Sequence, residues 1–272
     1  RDGDDDVAPL HGLAALFGVE RGSDVRWAHS VNSQAQLSAA LSEASAGVIH
    51  MIEADVCVHE GVVTMAHGPP RDNGNSDLTF EMFVARVLQH NDGGGSVGIK
   101  LDFKDPKAVP LALMQLQLAQ PPPQLPLWIN ADVVLGPGGL EPKFSAIAFC
   151  DSAVNSFPSA VLSLGWCVGE GDGNSLYTRT MIDNMLVVAN RYSARRTQFT
   201  FAVRARFAMS SDAAVANVKL LLDNSRHTIT LWDGAPLDFD TVVFFVKTHF
   251  DASDAARIFV DVPLSGGGNV AK

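Results

Sequence analysis

Three pairs of polar residues spaced two apart stand inside apolar runs: Glu53 and Asp55 in VIHMIEADVCV, Lys100 and Asp102 in SVGIKLDF, Asn130 and Asp132 in LPLWINADV. Residues i and i+2 of an extended strand share a face, so each pair projects to one side of its strand. Burying a carboxylate costs several kcal/mol unless it is paired or ligates a cation, so such pairs mark a site rather than filler. Glu53, Asp55 and Asp102 together offer three hard oxygen donors. That is the ligand type Mg2+ and Ca2+ take, leaving positions for water and substrate oxygens. The sequence has no His/Cys cluster to favour a softer metal, which argues against zinc.

Cations collect around the same strand ends. Lys100, Asp102 and Lys104 alternate on one face, and Arg204 and Arg206 follow in TFAVRARF. A focused cationic pocket inside an acidic protein suits a phosphate better than a neutral sugar. Lys100 and Arg204, with Asn130 and Trp232 at the ends of two further strands, are the expected substrate contacts. His29 and His67 lie where strand or loop ends are expected. Imidazole titrates near neutral pH, so two of them flanking a metal can serve as general base and general acid. His11, His50, His59, His90, His227 and His249 read as surface or core residues. A carboxylate pair of Asp132 and Asp233 would instead suit a glycosidase, a reading the nearby cations disfavour.

Eight strands are needed to position these groups, and eight short β-branched or aromatic runs can be counted: 24–31, 47–56, 96–103, 125–133, 160–166, 200–207, 227–233 and 256–262. Helical stretches lie between several of them. SQAQLSAALSEAS follows the first strand, FEMFVARVLQ the second, a Pro106-led segment the third and TRTMIDNMLVVANRY the fifth. Ser210, Ser211 and Asp212 form an N-cap cluster for AAVANVKLLLDN, with Asn224 near its stop. Alternating βα units in about 270 residues match a (β/α)8 TIM barrel. A doubly wound open sheet is the competing arrangement, but no GxGxxG follows the first strand. VHEGVVT, at Val58 to Thr64, carries a Glu-Gly turn and predicts that strand two continues into a β-excursion that returns His67 towards its end.

The chain of 272 residues is 47% hydrophobic and 18% charged, with a formal net charge of −10 and a mean hydropathy of +0.12. That composition excludes disorder for the bulk of the chain. The acidic balance excludes a non-specific grip on nucleic acid, which needs a basic surface. The longest apolar runs, such as Val242 to Val246, are far shorter than the roughly 20 residues that span a bilayer. Three scattered cysteines, Cys57, Cys150 and Cys167, make no disulfide framework and no CxxC site, and the compartment is left open. RDGDDD at the start and LSGGGNVAK at the end read as loose tails, giving an N-terminal segment at 1–20, a barrel at 21–264 and a flexible tail at 265–272.

The segments WAHSVN, IEADV, MAHGPP, GIKLDFK, WINADV, SLGW, VRA and ITLWDG resemble those of the menorin family. The domain of that family is related to the phospholipase C-like phosphodiesterase TIM barrels, among them glycerophosphodiester phosphodiesterases and the spider sphingomyelinase D toxins. The resemblance spans about residues 25 to 262. It implies a site made of a first histidine, an E-x-D pair, a second histidine about a dozen residues later, and an acidic residue two before a Lys. These fall on His29, Glu53, Asp55, His67, Asp102 and Lys104. The implied activity is metal-dependent cleavage of a phosphodiester, such as a lysolipid head group, with the metal on Glu53, Asp55 and Asp102 and protons exchanged by His29 and His67. Ser30-Val31 stands where glycerophosphodiesterases usually carry Arg-Gly, and Gly68-Pro69-Pro70 follows the second histidine. Some menorin relatives act outside cells in adhesion complexes, so the resemblance also admits protein partners and a catalytically silent barrel.

Overall fold

The computed structural model describes residues 17–68, 76–139, 141–170, 175–195, 197–233 and 237–262. The tail expected at 265–272, most of that at 1–20, and most of the loop after His67 lie outside the described residues.

Among the described residues nine strands form one sheet: β1 (Trp27–Ala28), β2 (Met51–His59), β3 (Val62–Met65), β4 (Gly98–Phe103), β5 (Leu127–Leu135), β6 (Val161–Cys167), β7 (Gln198–Arg204), β8 (His227–Trp232) and β9 (Ile258–Asp261). The order is β1-β2-β4-β5-β6-β7-β8-β9, with β3 paired to β2 alone. Every neighbouring pair is parallel except β2 with β3. Helices α1 (Gln34–Ser45), α2 (Phe80–Asp92), α3 (Ala108–Ala119), α4 (Ala146–Ser156), α5 (Arg179–Asn190), α6 (Ala205–Ala208), α7 (Asp212–Lys219), α8 (Phe239–His249) and α9 (Ala252–Ala256) alternate with the strands. The architecture is a nearly closed α/β barrel of eight parallel strands, as the sequence pattern predicts.

The helix starts are written in the sequence. Ser33, Thr79, Ser145, Thr178, Ser211 and Asp238 each accept a hydrogen bond from the backbone N–H three residues on, satisfying a donor the helix cannot. The expected excursion is present as the β2–β3 hairpin, whose turn places Glu60 at φ 47° and Gly61 at φ 82°.

Two expectations are corrected, and two helices are added. The first strand is two residues long instead of spanning 24–31, because the chain turns away to let Val25 plug the barrel floor and Ser30 reach Glu53. The strand expected at 200–207 ends at Arg204, where a helical turn begins, so Arg206 is not strand-borne. Its backbone N–H is taken by the Asp233 carboxylate at 3.1 Å. The helices α4 and α8 were not singled out by the pattern, and the apolar run TVVFFVK belongs to α8.

The barrel interior changes character along its axis. Val25, Met51, Trp128, Val161 and Phe259 fill the end from which the strands start, with Phe17, Val19 and Trp27 packed against them. Moving up each strand on the same face, Met51 gives way to Glu53 and Asp55, Trp128 to Asn130 and Asp132, and Phe259 to Asp261. Polar groups therefore collect at the carboxyl ends of the strands, the face where barrels carry their chemistry. No β1–β9 pairing occurs among the described residues. The seam is covered instead by the 3-10 turn Gly22–Asp24, which packs on β9 so closely that a Cβ on Gly22 would stand 2.8 Å from the Ile258 carbonyl oxygen.

Candidate functional site

Registration of β2 against β4 brings the acidic residues together. Glu53 is level with Lys100, and Asp55 with Asp102. One oxygen from each of Glu53, Asp55 and Asp102 lies within 4.8 Å of the others. Glu53 and Asp55 are buried. Their oxygens are held from outside the cluster. The backbone N–H of Ser30 donates to Glu53 Oε2 at 2.6 Å, Asn32 Nδ2 to Asp55 Oδ2 at 2.7 Å, and Asn130 Nδ2 to Asp102 Oδ1 at 2.7 Å. Ser30 reaches Glu53 by adopting a left-handed φ of 57°, an uncommon conformation for a residue with a side chain.

Lys104 Nζ bridges Asp102 and Asp55, at 3.3 Å from the latter. Lys100 lies deeper, buried and 3.2 Å from Asp261 Oδ2. Asp261 is the residue the sequence reading missed. Its other oxygen stands 3.0 Å from His29 Nδ1, which is also 3.4 Å from Glu53 Oε2. Burial disfavours a charged imidazole, but Asp261 and Glu53 outweigh it, so the His29 pKa stands well above its ordinary value. The Asp261 carboxyl is correspondingly held far below its usual range, against its own burial, by His29 and Lys100. Burial drives the Glu53 pKa up to about 7, reinforced by Asp55 and opposed by His29.

His67 follows β3 and is exposed. The hairpin returns it to the strand-two end because the Ala66 N–H binds the Asp55 carbonyl at 2.9 Å. Asn130, expected as a substrate contact, is buried and engaged on both sides, receiving a hydrogen bond from Ser163 as well as donating to Asp102. Arg204 lies between the rings of Phe207 and Trp232, at 5.3 and 5.7 Å from their centroids. Its guanidinium stands 3.6 Å from Asp233, which also pairs with Arg206. The cations foreseen as one phosphate pocket are therefore each matched to a carboxylate. Lys100, Lys104 and His29 belong to the acidic cluster, while Arg204 and Arg206 share Asp233 further round the mouth.

The donor set fits a hard divalent cation. All three converging ligands are carboxylates, and the surrounding cluster of five, with Asp132 and Asp261, faces two ammonium groups and one imidazole. Even with the imidazole protonated, the carboxylates outnumber the cations around them. No sulfur or second imidazole joins the three carboxylates. Cys57, Cys150 and Cys167 are free thiols and none is among the converging ligands.

A model of the menorin N-terminal domain matches residues 21–265. The chain belongs to the menorin family. The human protein FAM151B is 32% identical over 252 residues, an alignment covering 90% of this chain and 84% of that protein. Among solved structures, the octameric ribulose-1,5-bisphosphate carboxylase/oxygenase of Pyrococcus horikoshii superposes with a TM-score of 0.53 at 10% identity, over 93% of this chain and 55% of that one. At that identity the likeness is one of fold. The menorin-family assignment and the barrel agree with what the motifs imply, and the described helices of this menorin-family chain include none long and apolar enough to cross a membrane.

Proposed function

We propose that this menorin-family barrel is a metal-dependent phosphodiesterase, akin in chemistry to the phospholipase C-like barrels, acting on a small phosphodiester or lysolipid head group. The observation that carries the reading is the convergence of Glu53, Asp55 and Asp102 within 4.8 Å beside a His29–Asp261 pair at the barrel mouth. Mg2+ or Ca2+ held by the three carboxylates would supply charge stabilisation to the phosphoryl oxygens. His29, charged and anchored through Nδ1 by Asp261, is prepared to give a proton to the departing oxygen. His67 takes the proton of the attacking hydroxyl as the new P–O bond forms and the old one breaks. Lys104 sets a positive charge beside the same oxygens. Lys100 holds Asp261, and through it His29, in place. Asn130 fixes the Asp102 carboxylate. Arg204 and Trp232 line the far side of the mouth, towards the organic part of the substrate.

The test is a screen of glycerophosphodiesters and of choline- and ethanolamine-bearing lysolipids with added Mg2+ or Ca2+. With an active substrate in hand, His29→Asn and His67→Asn should each lower kcat by about 10²- to 10⁴-fold with metal affinity nearly unchanged. Wild-type turnover in His67→Asn would remove His67 from the mechanism. If no phosphodiester is turned over with any divalent metal, the chain is a silent binding barrel with a structural metal site.

A further inference from the structure

Asp132 stands apart from the carboxylates around it. It points into the mouth from β5, yet no hydrogen bond or ion pair holds it among the described residues. The layer just below is closed. Ser163 donates to Asn130, Asn130 to Asp102, and the Thr200 and Thr230 hydroxyls share a hydrogen bond of 2.8 Å. One step outward, Asp132 is level with Gly165, and Gly165 with Ala202. A hydrogen and a methyl group offer a carboxylate nothing.

The space itself depends on that glycine. A Cβ on Gly165 would lie 2.1 Å from Asp132 Oδ1 and 3.6 Å from the Ala202 Cβ, so the carboxylate occupies ground that any side chain would fill. Lys104 and Lys100 act on Asp132 only from beyond contact distance, and a recessed carboxylate left without a hydrogen bond lowers stability and calls for an explanation. Ligation of the cation does not supply it, because Asp132 is not among the carboxylates that converge within 4.8 Å.

We infer that Asp132, in the recess left by Gly165 and Ala202, is a specificity-determining residue that accepts a hydrogen bond from a hydroxyl or ammonium group on the organic part of a phosphodiester held at the neighbouring triad. The inference rests on the proposed function and narrows its substrates to those with such a donor within reach of the phosphorus.

Three matched probes test it by titration calorimetry in saturating Mg2+: dimethyl phosphate, methyl 2-hydroxyethyl phosphate and methyl 2-aminoethyl phosphate. Wild-type protein should bind one donor-bearing probe at least tenfold more tightly than dimethyl phosphate. Asp132→Ala should bring that preference to within twofold of unity. Asp132→Asn separates the two donors, since its amide oxygen still accepts from a hydroxyl but carries no charge for an ammonium group. A preference that survives Asp132→Ala overturns the inference alone. If wild-type protein binds none of the three, the phosphodiesterase reading falls and the inference with it. Thermal melting without ligand gives an independent check. Replacing an unpartnered carboxylate beside Asp102 should leave Asp132→Asn melting at or above wild type, and a clear drop would show a structural role and overturn the inference.

Discussion

Asp261 joins groups that lie 232 and 161 residues earlier in the chain, accepting from His29 with one oxygen and from Lys100 with the other. Lys100 is buried, and among the described residues its one hydrogen-bond partner is Asp261, at 3.2 Å. Removing one member of a buried pair leaves the other charge uncompensated, which costs about 3 to 5 kcal/mol. Asp261→Ala should therefore lose that much in urea unfolding, while Asp261→Ala with Lys100→Met should recover most of it. If the double variant is as unstable as the single one, the pair is not the source of the loss. A second residue, His227, tests the core away from the site. Its ring stands edge-on to Phe199 and Phe201, at 5.8 and 5.1 Å. Burial lowers its pKa to about 4, although its hydrogen bond to the Leu221 carbonyl works the other way. The folded pKa lies below the unfolded value near 6.5, so unfolding takes up a proton between the two. The stability from the neutral ring is complete above pH 6.5 and is lost as the pH falls towards 4, about 3 kcal/mol in all. His227→Leu should flatten the fall in stability between pH 7 and pH 4, measured by denaturant titration at each pH. An unchanged slope would place the acid sensitivity elsewhere.

At the scale of elements, what the sequence shows and hides follows from how far apart the causes lie. β2, β4 and β5 are legible because their polar residues alternate on one face of apolar runs, and α7 because the cap cluster Ser210, Ser211 and Asp212 precedes it. From those strands Glu53, Asp55 and Asp102 could be named as a group. Arg206 could not be placed, because the helical turn that removes it from β7 is held by Asp233, 27 residues on. Asp261 could not be found, since IFVD reads as an ordinary strand end until β9 is brought next to the segment after β1. Ser30 was hidden in the same way, as nothing local announces a left-handed serine. The helix α8 is rich in β-branched and aromatic residues, which blurs the helical period. The seam between β9 and β1 makes its own prediction. Gly22 is needed there because any Cβ would stand 2.8 Å from the Ile258 carbonyl oxygen. Gly22→Ala must push the turn off β9, costing about 1 to 3 kcal/mol by overpacking. It should also loosen the His29–Asp261 contact that crosses the same seam, seen as a shift of the His29 ring resonances. A variant that melts like wild type with those resonances unmoved would mean the turn yields without strain.

For the whole molecule, the decisive quantity is charge. The chain carries a formal net charge of −10, and the barrel mouth concentrates acidic groups, with the carboxylates of Glu53, Asp55, Asp102, Asp132 and Asp261 facing Lys100, Lys104 and His29. Like charges held close in a partly desolvated recess repel more strongly than the same charges spread over the surface, because solvent screens them less. A divalent cation bound there removes that repulsion in the folded state and finds no preformed site in the unfolded chain. Stability should then rise by mass action, by about 2.7 kcal/mol when the free ion stands at 100 times its Kd. For a barrel of this size that corresponds to a Tm increase of roughly 5 to 10 °C. The increase must be specific to divalent ions, since NaCl at matched ionic strength screens the whole surface but cannot bridge three carboxylates. It must also depend on the triad. Glu53→Gln and Asp102→Asn should each shrink the Mg2+ or Ca2+ shift to a small fraction of the wild-type value. Scanning calorimetry of the three proteins with and without the ion decides the matter. Equal shifts in all three would move the ion to some other part of the acidic surface and leave the barrel mouth to Lys104 and His29 alone.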